Sequence, residues 1–172
     1  MNNVNFTKQE EKWIPLIGKF VIDSANIEDS IFIVIEKHLK DEINKYKNLD
    51  NNFYKQLELF QEIFLDQLSH NDEDKKLLSK FIDEAKRLRQ IRNLIAHNSL
   101  GLMFIDRGNG EIEMVGFEIE NKSDKSISIN YEGFKEAVAD IKKCRSDLAT
   151  LLMEYHNKEA EEIRKQIDER EK

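Results

Sequence analysis

From Phe20 to Ile43 the apolar residues return at intervals of three and four: Phe20, Val21, Ala25, Ile31, Phe32, Ile35, Leu39 and Ile43. A 3.6-residue turn gathers such positions on one side of a helix, whereas a strand would need strict alternation. The spacing therefore predicts a long amphipathic helix whose apolar stripe must be covered by other helices. Its start carries Thr7 and Glu10 at capping-box spacing, and Pro15 either ends a short first segment or kinks a longer one. The stretch "FYKQLELFQEIFLDQL" repeats the pattern with Phe53, Leu57, Phe60, Phe64 and Leu68 after the polar break "NLDNN". One proline and six glycines in 172 residues leave little material for turns, so helix dominates the expectation.

A third helix is predicted from Asn71 or Asp72, either of which can cap it, to about Ala96. Beyond it the period changes. "GLMFID", "EIEMVGFEIE" and "KSISINY" are β-branched or alternating, split by "RGNG" and "NKSDK", which predicts a small antiparallel hairpin or three-stranded flap. Asn130 then caps a last helix with Phe134, Val138, Ile141, Leu148, Leu152 and Tyr155 on its apolar side. The expected fold is mainly α, an up-down four-helix bundle with an antiparallel β insertion, about residues 101–131, between helices three and four. Residues 1–156 are expected to form this helical domain. Residues 157–172, almost wholly charged, are expected to be a solvated helical extension or a fraying tail.

Formal net charge is -7, which argues against a general nucleic-acid binder, since such proteins carry a basic excess that displaces counterions from phosphates. Any nucleic-acid role needs a local basic surface. The one cysteine, Cys144, cannot close an intrachain disulfide; it is expected to pack as a small core or edge residue. The N-terminus lacks the pattern of a secretory signal, and "IFIVI" is far too short to span a bilayer. The expectation is a cytoplasmic protein without membrane contact.

The polar residues of "RQIRNLIAHNSL" stand out against this background. Leu78, Phe81, Ala85, Leu88 and Ile95 form one stripe of the third helix, and Arg92 falls inside it. A guanidinium there needs a partner or a polar cavity, because burying it alone costs several kcal/mol. Lys86, Arg89 and Asn93 flank the stripe, and "KRLRQIR" holds four cations and no acid, which is a local basic surface. His97 follows Asn93 by four residues and shares its side of the helix. Arg92 and His97 are about 140° apart around an unbroken helix, so convergence within one chain requires the helix to end or bend near Ala96. Asn98, Ser99 and Gly101 are helix-ending residues that permit this.

Simpler roles exist for each residue. Arg92 could pair with Asp23 or Glu28 on the first helix, and a histidine at a helix C-terminus complements the dipole. His38, His70 and His156 are expected to face solvent, and no histidines stand at metal-ligand spacing, so neither metal nor cofactor is expected. The aromatics of helix two read as core, and Trp13 as packing or an interface anchor. No phosphate-cradling glycine loop or nucleophile elbow is present.

"RNLIAH" at the end of a third long helix resembles the signature of the HEPN superfamily, an arginine followed by a polar residue and then a histidine a few positions on. The likeness extends from about Phe6 to Tyr155 through the order of elements. It implies a four-helix bundle and, for many members, a homodimeric, metal-independent endoribonuclease whose two motifs meet in one cleft. Arg92 and His97 would then be catalytic with Asn93 in support, while Lys86 and Arg89 steer RNA. The residue types suit attack by the ribose 2′-OH: an imidazole to move protons, and a guanidinium to fork onto phosphate oxygens. The resemblance further implies a toxin or antiviral defence effector, with an antitoxin or defence-system protein as regulatory partner. Some members carry a modified tyrosine two residues after the histidine, where this chain has Ser99. The alternative is a non-catalytic HEPN-like dimer that binds RNA, a nucleotide or a partner protein as a regulatory module.

Overall fold

The computed structural model describes residues 6–40, 49, 52–67, 72–106, 108, 112–124 and 126–170. Along the chain run α1 (Phe6–Leu39), α2 (Phe53–Gln67), α3 (Asp72–His97), β1 (Leu100–Asp106), β2 (Ile112–Glu120), β3 (Ser128–Asn130) and α4 (Tyr131–Arg170). The protein is thus mainly α, with four helices and a three-stranded antiparallel sheet between the third and fourth, as the periodicity predicts. Among the described residues no helix is long and apolar enough to cross a membrane.

Two compact units are formed, one from Met1–Ser24 with Arg87–Lys142 and the other from Ala25–Lys86 with Lys143–Lys172. In the first, the Trp13 ring stacks on Phe134 with centroids 5.4 Å apart and meets Tyr131 edge-on at 5.5 Å. Phe20 leans on Phe134 at 5.4 Å, and Ile119 of β2 is buried. Trp13 is therefore a packing residue. The sheet runs in the order β1-β2-β3, and between Met103 and Phe104 the β1 register skips Val115, a bulge. Asn130 accepts the Gly133 amide at 2.9 Å, which caps α4 where the sequence predicts.

The second unit has its own aromatic core. Phe60 contacts Phe64 at 4.3 Å and Phe81 at 5.8 Å, and Phe64 stacks on Tyr155 at 5.3 Å. Asn52 caps α2 by accepting the Lys55 amide at 3.2 Å. Cys144 is buried, a core residue. Lys37 donates to Glu159 at 2.6 Å, and that hydrogen bond holds the Glu159 carboxyl below its ordinary value of 4.5. A depressed carboxylate contributes stability that is complete above the ordinary value and is lost as pH falls through the folded-state value. The pair is partly exposed, so Glu159→Gln is expected to cost at most about 0.5 kcal/mol at pH 7. The cost should shrink as pH falls below 4.5 and the folded-state carboxyl takes up its proton, as read from urea midpoints at pH 7 and in acid.

Several expectations need correction. Thr7 lies inside α1, because Phe6 is already helical, so it is not the cap. Of the two roles considered for Pro15, ending a short first segment is excluded, because α1 runs through it as one longer helix. Val21 and Ala25 are exposed, while Asp23, Ser24 and Ile27 are buried. The stripe through Trp13 and Phe20 reaches Ser24 and Ile27 next, and Asp23 is tolerated there because Lys19 donates to it at 3.1 Å. The charged end of the chain is helical to Arg170. Ile43, Leu68, His70 and Asn71 lie outside the described residues, as does all of "RGNG" but Gly108.

Candidate functional site

The last turns of α3 form one wall of a cleft of about 590 Å³. Gln90, Asn93, Leu94 and His97 line it from the helix, with Asn98 just beyond, and the β2–β3 loop supplies Asn121, Lys122, Ser123 and Ile127. All of these residues belong to the first unit.

Local chemistry explains how the walls are held. The Asn98 side chain donates to the Leu94 carbonyl at 2.8 Å, taking up one of the carbonyls that a helix end leaves without a partner. Its Oδ1 accepts the Lys122 amide at 3.0 Å. One side chain thus closes α3 and ties it to the loop. The loop is organised from within: Asn121 Oδ1 accepts the amides of Ser123 at 2.8 Å and Asp124 at 3.2 Å. Asp124 in turn accepts the Ser126 hydroxyl at 2.6 Å and amide at 3.0 Å, which lowers its carboxyl pKa. The Asn121 amide donates to the Ile127 carbonyl at 2.9 Å and brings the loop ends together.

Asn98→Ala removes both bonds at the junction. It is expected to cost about 1–2 kcal/mol in unfolding free energy, measured by urea denaturation. A cost below about 0.3 kcal/mol would show that the junction is held elsewhere.

The cleft brings together Asn93, half-buried, and His97, exposed at the last position of α3. Arg92 is half-buried and does not line it, and neither do Lys86 and Arg89. Because α3 continues through His97, Arg92 and His97 stay about 140° apart on the helix of a single chain. Asp23, considered as a partner for Arg92, is instead paired with Lys19. Of the basic run, Arg87 is committed to Asp140 at 2.5 Å. The apolar stripe ends on Leu94, which is buried, rather than on Ile95, which is half-buried, since the β2–β3 loop comes in on the side of Leu94. Among the described residues no three His, Cys, Asp or Glu side chains cluster as metal ligands.

Sequence reasoning did not anticipate Gln90, Asn121, Lys122 or Ile127 as neighbours of His97, and it took Asn98 only as a helix stop. Asparagine at the end of a strand, followed by "KSD", is the signature of an Asx turn, the one local hint that this loop would be ordered. Comparison with protein-family models, with curated proteins and with solved structures finds no match to this chain.

Proposed function

We propose that the protein is a HEPN-like, metal-independent endoribonuclease that acts as a homodimer in a toxin or antiviral defence setting. The observation that carries this reading is the exposed His97 beside Asn93 in a cleft, on a helix whose preceding turn presents Arg92 with no ion-pair partner among the described residues. In the proposed reaction an imidazole takes the proton of a ribose 2′-OH, the 2′-oxygen bonds to phosphorus, and the bond to the 5′-oxygen breaks. A second acid returns a proton to that oxygen, leaving a 2′,3′-cyclic phosphate and a 5′-hydroxyl. Arg92 stabilises the charge on the phosphorane oxygens by a two-pronged hydrogen bond, and Asn93 orients the imidazole or a substrate oxygen. Two imidazoles, and an arginine that reaches the histidine across the helix, require a second copy of the chain. Lys86 and Arg89 are assigned to steering the phosphate chain toward this centre.

The test is incubation of a mixed RNA pool with the wild-type protein and with Arg92→Ala, in EDTA, with an all-deoxy pool alongside. Cleavage by the wild type alone, confined to RNA and ending in cyclic phosphate, is expected. Cleavage of the deoxy pool would refute 2′-OH attack, since DNA lacks that hydroxyl. A second reading, a non-catalytic HEPN-like dimer that binds RNA, a nucleotide or a partner protein, is favoured by the separation of Arg92 from the His97 cleft. Retention of RNA by a folded wild type that cuts nothing would decide for it.

A further inference from the structure

The lining of the cleft restricts what can enter it. Gln90 and Asn93 are three residues apart on α3 and share a side of the helix, so two carboxamides face one space. Leu94 is buried and Ile127 is 48% exposed, so the same space has an apolar lining part of which stays in water when empty. Lys122 adds a cation, and neither an arginine nor a carboxylate is among the described lining residues. The side chain of Asn98 is spent on Leu94 and Lys122, and Asn121 Oδ1 on its own turn, which leaves the Asn121 amide hydrogens to donate. The volume falls within the range of roughly 300–1,000 Å³ usual for small-ligand sites. Apolar faces with donor–acceptor edges and one cation match a planar heterocycle that carries a phosphate.

The edge chemistry narrows the heterocycle. A carboxamide presents a donor and an acceptor side by side, which complements the N6 donor and N7 acceptor of adenine. Guanine offers two acceptors best met by an arginine fork, and cytosine a donor best met by a carboxylate. Lysine can also serve guanine, but Lys122 is exposed on the loop and its ammonium is a flexible point charge suited to phosphate. The base must be unpaired for its edges and faces to be free.

We propose that this cleft is a base-recognition subsite that takes an adenine of single-stranded RNA. Gln90 reads its edge, Ile127 and Leu94 cover its face, and Lys122 holds its phosphate. The assignment rests on the ribonuclease reading for its role beside His97, but the binding it describes does not require cleavage.

The experiment titrates wild type, Gln90→Ala and Ile127→Ser with the 3′-monophosphates of adenosine, guanosine, cytidine and uridine in EDTA, followed by amide chemical shifts. Cleavage sites in an RNA pool are mapped in parallel. Adenosine 3′-monophosphate is expected to bind at least about tenfold more tightly than the others and to shift residues 90–98 and 121–127, with Gln90→Ala removing most of that preference. Gln90 is exposed and alanine is a good helix former, so the variant keeps its fold. Equal affinity for the four nucleotides, no binding, shifts elsewhere, or an unchanged preference in Gln90→Ala would each overturn the proposal. Adenine-selective binding without RNA cleavage keeps the subsite and removes the ribonuclease reading. Cleavage with no preference for adenine does the reverse.

Discussion

The His97→Ala substitution is expected to slow RNA cleavage by about 10²- to 10⁴-fold, the span usual for loss of a general acid or base. It should leave unfolding free energy within about 1 kcal/mol of wild type, because the most the side chain supplies to the fold is a charge at a helix C-terminus. His97 is exposed, ends α3 and has no hydrogen-bond partner among the described residues, so little else is lost with it. This separation of activity from stability makes the variant informative. Equal cleavage by both proteins would remove His97 from the chemistry, whereas a fall in both activity and urea midpoint would assign it to the fold.

Phe134→Ala is expected to have the largest effect on stability, about 3–5 kcal/mol. The side chain is fully buried, stacked by Trp13 and flanked by Phe20, and an alanine would leave a cavity between two rings. Set against the usual total of about 5–15 kcal/mol, that loss would bring the protein near its unfolding threshold at room temperature. Trp13 is the one tryptophan, so its fluorescence reports on this core directly, and its emission should shift in the folded variant before any denaturant is added. Ile163→Ala, at a half-exposed position of α4, is the control and should fall within about 0.5 kcal/mol of wild type. A similar small cost for Phe134→Ala would contradict the ring packing described.

What was legible in the chain follows a physical division between local and distant causes. The α2 stripe through Phe53, Leu57, Phe60 and Phe64 and the Asn130 cap depend on neighbours within one or two turns, and both are present. Three strands in the stretch between α3 and α4 likewise follow from alternation and polar breaks. The phase of α1 was not legible, because Val21 is as apolar as Phe20 and only the partner surfaces decide which is covered; Asp23 is buried against the trend because Lys19 pairs with it. At the candidate site, Asn93 and His97 were readable as an i,i+4 pair. Lys122 and Ile127 were not, since the β insertion must fold back by more than twenty residues before they meet α3. The dual bond of Asn98 has no local signature either, as its second partner is 24 positions away.

That bond sets a clock on the cleft. The Lys122 amide donates to a side chain, so it is freed whenever Asn98 leaves its rotamer, without any strand pair having to break. Hydrogen exchange at this one amide therefore counts the excursions in which the loop lets go of the helix, on a scale that global unfolding does not touch. A ligand that needs both walls can bind only in the remaining fraction of time, and its apparent dissociation constant rises as that fraction falls. Affinity for anything held there is consequently tunable at a residue whose side-chain hydrogen bonds are spent on the walls.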